Sequence, residues 1–130
     1  MEGRTHLASG FFLFALGLGP GAIFGSLFPD IDSPRAFFGL VSDAYGHRGL
    51  FHSLSFLTII GGIAVIAGYP GFLSGYAAHI LLDSLTVSGV RMFEPFFPLR
   101  LRGPFITGGF FDHMLSAVLF ASAVAVSIPF

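Results

Sequence analysis

FHSLSFLTIIGGIAVIAGYPGFLSGYAAHILLDSLTVS, residues 51–88, decides how this chain folds. From Phe51 to Leu82 it carries no Asp, Glu, Lys or Arg, and its one ionised group is Asp83. As a single helix rising ~1.5 Å per residue it would outrun the ~30 Å hydrocarbon core of a bilayer. Gly68-Tyr69-Pro70-Gly71 interrupts it near the centre, and glycine beside proline is the strongest turn signal a sequence offers. The stretch therefore reads as an antiparallel helical hairpin, residues 51–68 and 71–88.

Working outward, residues 7–29 also lack any charged group, but Gly17-Leu-Gly-Pro-Gly21 sits in their middle. Either one kinked helix crosses a membrane there, or two short helices fold back as a re-entrant hairpin; the second reading is favoured. Two polar segments flank the central hairpin. The first, residues 30–50, holds Asp30, Asp32, Asp43, His47 and Arg48. The second, residues 89–109, holds Arg91, Glu94, Arg100 and Arg102 among Phe93, Phe96, Phe97 and Phe105. Pro95, Pro98, Gly103 and Pro104 argue against a regular helix in it. A last apolar helix runs from about Phe110 to Ile128. The fold class that follows is an all-α integral membrane protein, a small bundle of about four membrane helices in one domain, residues 1–130.

Composition supports the membrane reading. Of 130 residues, 54% are hydrophobic and 10% charged, with 18 Phe and no Cys. About 25% charged residues clothe an ordinary soluble domain. A net charge of −1 points to neither nucleic acid nor a strongly anionic surface as partner. Arg35, Arg48, Arg91, Arg100 and Arg102 all fall in the two polar segments, which the hairpin places on one side. The positive-inside rule makes that side cytoplasmic. The bland alternative is a very apolar soluble domain in a tight oligomer.

Chemistry is signalled by histidine and aspartate. His79 and Asp83 stand four apart, on one helix face. An ionisable residue such as Asp83 inside an apolar span is expensive and points to function, although a His–Asp pair can simply hold helices together. Pairing residues equidistant from a turn at Tyr69-Pro70 puts Asp83 opposite about residue 56, one turn from His52. His52, His79 and Asp83 thus converge. His47 lies five residues before His52, and Asp30 and Asp32 set two carboxylates on one extended segment. His6 joins them only if residues 7–29 form the hairpin; a straight helix would carry it ~36 Å away. Imidazole and carboxylate without thiolate suit a divalent metal, zinc foremost with manganese or iron as alternatives, and such clusters commonly hold two or more ions for phosphoester hydrolysis. Asp112-His113 opens the last helix on the same side, where an acidic residue is also expected for the helix dipole.

Thr5-His6, Leu27-Phe-Pro-Asp-Ile-Asp32, His47-Arg-Gly-Leu-Phe-His-Ser53 and His79-Ile-Leu-Leu-Asp83-Ser-Leu-Thr-Val-Ser-Gly89 together resemble the YdjM family over nearly the whole chain. The resemblance implies an inner-membrane, metal-dependent hydrolase, a family also labelled LexA-binding. It implies the metal ligands His6, Asp30, Asp32, His47, His52, His79 and Asp83. The His-x-x-x-Asp element is also similar, more remotely, to the zinc-dependent phospholipase C group, which implies phosphoester chemistry on a lipid-type substrate. In that reading Asp30 or Asp32 bridges ions or serves as base, and Arg48 steadies the phosphate. The competing readings are a non-catalytic metal-binding membrane protein for transport or sensing, and an adaptor that recruits a regulatory protein.

Overall fold

A computed structural model describes residues 1–33 and 48–128, with the side chain of Asp32 left aside. Within them are five α-helices: α1 (Gly3–Leu13), α2 (Gly21–Leu27), α3 (Leu54–Ile66), α4 (Pro70–Ser84) and α5 (Phe110–Ser127). The described residues contain no extended strand, only two isolated bridges, Thr86 with Phe105 and Val90 with Leu101.

Residues 7–29 adopt the broken alternative. After α1 the chain widens into one π-helical turn, Phe14–Leu18, that ends where Gly17 takes φ 88°. Gly19 at φ 79° and Pro20 then redirect the backbone into α2. Positive φ is the region that only glycine enters cheaply, and two such residues in three make the reversal. Accordingly α2 returns along α1, with Gly10 facing Ile23 and Ser26. A turn containing Pro29, Phe28–Asp32, closes α2.

The central hairpin forms with shorter arms than the sequence suggested. Ser53 caps α3 by accepting from Phe56 N at 3.2 Å, so the helix starts at Leu54. Pro70 takes the first position of α4, where its missing N–H is no loss. At the far end Thr86 donates its hydroxyl to Asp83 O at 2.7 Å and joins a bridge to Phe105, which draws residues 86–88 out of helix. The register also differs from one centred on Tyr69-Pro70. Gly61 meets Leu73, and His52, not residue 56, stands against Asp83, because the chain reverses around Ala67-Gly68.

Close helix contact rests on small residues. Gly21 and Gly25 of α2 lie on the backbone of Phe72, while Gly71 and Gly75 of α4 lie against Leu18, Ala22 and Ser26. Two Gly-x-x-x-Gly pairs therefore face one another, the device by which helices approach where no hydrophobic effect drives them together. α5 runs beside α1, with Phe11 edge-on to Phe120 and Thr5 donating to Asp112. Asp112 also accepts from Glu2 N at 2.9 Å and Gly108 N at 2.8 Å. It thereby ties the start of α5 to the start of α1.

This up-and-down order brings the N-terminus, residues 26–33 and 48–53, the C-terminal end of α4 and residues 85–112 to one end. Polarity is distributed inside out. The buried set is dominated by Thr5, His6, Ser9, Ser26, His52, Ser53, His79, Asp83, Thr86 and Asp112, while Phe24, Ile66 and Phe110 are 69%, 89% and 82% exposed. A small apolar core remains, Tyr76, Ile80 and Val90, packed by Phe28, Leu57 and Phe72. The all-helical architecture is as expected, with the broken first segment contributing two of the five helices. Among the described residues only α5, with 18 residues, is long and apolar enough to cross a bilayer. α3 and α4, at 13 and 15 residues, reach about 20 and 22 Å.

Candidate metal centre

His79 is the hub. It projects from the penultimate turn of α4 and is fully buried. Its Nδ1 donates to Ser26 O of α2 at 2.6 Å. A carbonyl can only accept, so Nδ1 carries a proton, and in the neutral ring the Nε2 lone pair then turns inward. Anchoring one imidazole nitrogen on a backbone carbonyl is how metal-ligating histidines are commonly oriented. His6 of α1 stacks on this ring, with centroids 3.6 Å apart and planes within 13°.

Around the His79 Nε2 atom stand His52 Nε2 at 3.2 Å, Asp30 Oδ1 at 3.6 Å and Asp83 Oδ2 at 3.7 Å. Asp83 Oδ2 lies 3.4 Å from His52 Nε2, and Asp83 Oδ1 lies 3.2 Å from His6 Nε2. His52 Nε2 is 3.9 Å from Asp30 Oδ1. The α-amino group of Met1 and Arg48 Nε, the latter at 3.3 Å, also meet the Asp83 carboxylate.

These separations fit a common cation. Ligands about 2.1 Å from a tetrahedral ion lie roughly 3.4 Å from each other, which is the spacing found here. Two donor groups have all their atoms within 4.8 Å: His6, His79 and Asp83, and Asp30, His52 and His79. They share the single inward nitrogen of His79, so the described donors suffice for one ion. Asp83 Oδ2 and His6 Nδ1 are buried without a hydrogen-bond partner among the described residues. Besides the Arg48 ion pair at 3.3 Å, Asp83 Oδ2 faces the imidazole nitrogens of His52 and His79, and a shared cation would satisfy all three together.

Six of the eight expected groups thus converge: His6, Asp30, Arg48, His52, His79 and Asp83. His47 and the Asp32 side chain lie outside the described residues. Asp30, 29% exposed, marks the open edge of an otherwise enclosed site. Arg48 holds a left-handed backbone at φ 66°, the one non-glycine residue to do so among the described residues. Such strain costs of order 1–3 kcal/mol and collects at functional sites. Its guanidinium donates from Nη1 to Thr86 Oγ1 at 3.0 Å. Sequence reasoning missed Thr86 and the Ser26 carbonyl. Only the two facing Gly-x-x-x-Gly pairs could have signalled that α2 delivers Ser26 to α4.

The chain belongs to a membrane-protein family. The profile of the YdjM inner membrane protein family matches residues 1–128, and the chain is therefore a member of it. Among individual relatives, the inner membrane protein YdjM of Escherichia coli (strain K12) is 36% identical over 94 residues, covering 58% of this chain and 48% of that protein. The YdjM protein of Shigella flexneri matches to the same extent. The uncharacterized protein YvsG of Bacillus subtilis (strain 168) is 30% identical over 147 residues, covering 92% of this chain and 89% of that one. The chain thus spans about half the length of the two YdjM proteins it matches. No solved structure matches it.

Proposed function

We propose that this protein is a membrane-embedded, metal-dependent hydrolase of a lipid-type phosphoester. The observation that supports the reading best is the buried meeting of His6, His52 and His79 with Asp30 and Asp83, at the spacing of ligands around one ion. The occupant is a divalent metal, zinc foremost with manganese or iron as alternatives. A second ion would draw on Asp32 and His47. In this reading the bundle lies in the inner membrane, with α5 crossing it and the ligand end at the cytoplasmic face; the apolar exterior supports it.

A divalent ion in such a site supplies Lewis acidity toward a phosphoryl oxygen and a more readily deprotonated water. The residues of the chain do the rest. The Ser26 carbonyl locks the tautomer and angle of His79. Asp30, at the open edge, takes up the proton of the attacking water. Arg48 faces the site from the strained turn and holds the phosphate in bidentate fashion. His6, His52, His79 and Asp83 are at most 1% exposed and keep bulk water from the centre.

The test is turnover by the purified protein in proteoliposomes across a panel of phospholipids. Activity should vanish with chelator, return with zinc, and be lost in His79→Gln. A second reading, metal storage or sensing without catalysis, is favoured by the same enclosure, since among the described site residues only Asp30 and Arg48 meet solvent. Stoichiometric metal with no turnover on lipid or nucleotide phosphoesters would select it.

A further inference from the structure

The loop from residue 85 to 109 gathers arginines at the ligand end of the bundle. Val90 and Leu101 exchange both backbone hydrogen bonds at 2.9 Å, so Arg91 and Arg100 flank one antiparallel bridge. Arg102 follows, its Cγ 2.7 Å from the place a Cβ on Gly89 would take. Arg48 reaches the same ladder through its carbonyl, which accepts from Arg91 N at 3.4 Å.

Two carboxylates face these four cations. Glu94 pairs with Arg91 at 2.8 Å and Asp83 with Arg48 at 3.3 Å. Arg100 donates from Nη1 to Ser88 O at 3.3 Å, and neither it nor Arg102 has a carboxylate partner among the described residues. Partial burial lowers the pKa of Arg100, and the charges of Arg91, Arg102 and Arg48 lower it further against the single opposing pull of Glu94. Among the described residues the patch keeps an excess of positive charge. Large apolar side chains border it: Phe96, Phe97, Leu99 and Ile106 are 73%, 67%, 55% and 69% exposed. A soluble anion has no use for such a rim, whereas a lipid brings acyl chains to cover it.

We propose that this loop is a docking site for the phosphate-bearing headgroup of an anionic membrane phospholipid, bound by Arg100 and Arg102 with Phe96 and Phe97 among the acyl chains. The cis Glu94–Pro95 bond lies between Arg91 and these phenylalanines on the same loop. Through Arg48 the patch adjoins the Asp83 carboxylate, so a bound headgroup lies next to the candidate metal centre. That this lipid is also the substrate rests on the hydrolase reading; its binding does not.

Native mass spectrometry of the delipidated protein in neutral detergent, titrated with phosphatidylglycerol or phosphatidylcholine of equal chain length, tests the site. Phosphatidylglycerol should bind in preference, more weakly as salt rises. Arg100→Gln plus Arg102→Gln should weaken it about 25-fold, a factor of roughly five per arginine near an anionic surface. Arg100→Lys plus Arg102→Lys should retain most binding, and metal content should be the same in every variant. Equal binding of the two lipids, no loss in the glutamine variant, or inorganic phosphate that binds as tightly as phosphatidylglycerol would each overturn the proposal. Selective lipid binding by a wild-type protein that holds no metal would leave this site standing and remove the hydrolase reading alone.

Discussion

Replacing Gly25 by alanine should part α2 from α4 and loosen the metal centre with them. A Cβ at Gly25 would lie 2.8 Å from the carbonyl carbon of Phe72 and 3.0 Å from its Cα, with the carbonyl oxygen nearer still. Carbon atoms rest comfortably at about 3.5–4.0 Å and the nearer oxygen also needs room, so the two backbones must separate by roughly 1 Å or more. All three atoms belong to the backbone of Phe72, and no rotamer change relieves the clash. Overpacking of this kind costs about 1–3 kcal/mol. A clash with backbone takes the upper end of that range, and alanine is the better helix former by about 0.5–1 kcal/mol, which leaves a net loss of about 2 kcal/mol. Gly62→Ala is the matched control, since nothing lies within 4 Å of its Cβ and the same helix gain should appear unopposed. The assay is unfolding in detergent followed by circular dichroism, with metal affinity measured on the same samples. Ser26, next to Gly25, holds His79 at 2.6 Å, so metal binding should weaken about 10–100-fold. A Gly25→Ala protein as stable and as tightly metallated as the wild type would refute the close α2–α4 packing. So would a Gly62→Ala protein that is equally damaged.

Further outcomes follow from the same geometry. His79→Gln removes the nitrogen shared by both donor groups and should cut metal affinity more than a hundredfold, whereas Asp30→Asn should weaken it less; competition with a chromogenic chelator measures both. Lowering the pH should release the metal, because protons compete for the imidazole nitrogens; equilibrium dialysis at a series of pH values reads the loss. Asp112→Ala removes the acceptor of Glu2 N and Gly108 N and should lower stability by about 2–4 kcal/mol while metal stoichiometry holds, as unfolding curves and metal analysis together would show. Arg48→Gly relieves about 1–3 kcal/mol of left-handed strain but strips the buried Asp83 carboxylate of its guanidinium, worth about 3–5 kcal/mol, so unfolding curves should show a net loss of about 2 kcal/mol and the proposed phospholipid turnover should fail.

Much of the site could be read from the sequence because periodicity is local. His79 and Asp83 share a helix face by spacing alone, and the turn at Gly68–Gly71 was enough to bring His52 toward them. The one-turn error in register arose because the reversal centres on Ala67-Gly68, a shift that composition does not encode. His6 depended on how residues 7–29 break. Gly17 and Gly19 at positive φ decide that, and they return α2 along α1. Span lengths were overread because hydropathy continues past the helix ends, whereas Ser53 and Thr86 terminate α3 and α4 through their hydroxyls. Ser26 and Thr86 left no signal of their own. A backbone carbonyl has no sequence signature, and a threonine that bonds an arginine 38 residues away is a tertiary fact.

The central claim is that His6, His52, His79, Asp30 and Asp83 bind a divalent ion in the membrane. Elemental analysis of protein purified from membranes, joined to X-ray absorption at the edge of the metal found, tests it directly. The proposed centre requires at least one ion per chain, ligated by nitrogen and oxygen with imidazole scattering, and lost in His79→Gln. Protein that carries no stoichiometric metal after growth with added zinc, or that keeps its full metal content in His79→Gln, would contradict it.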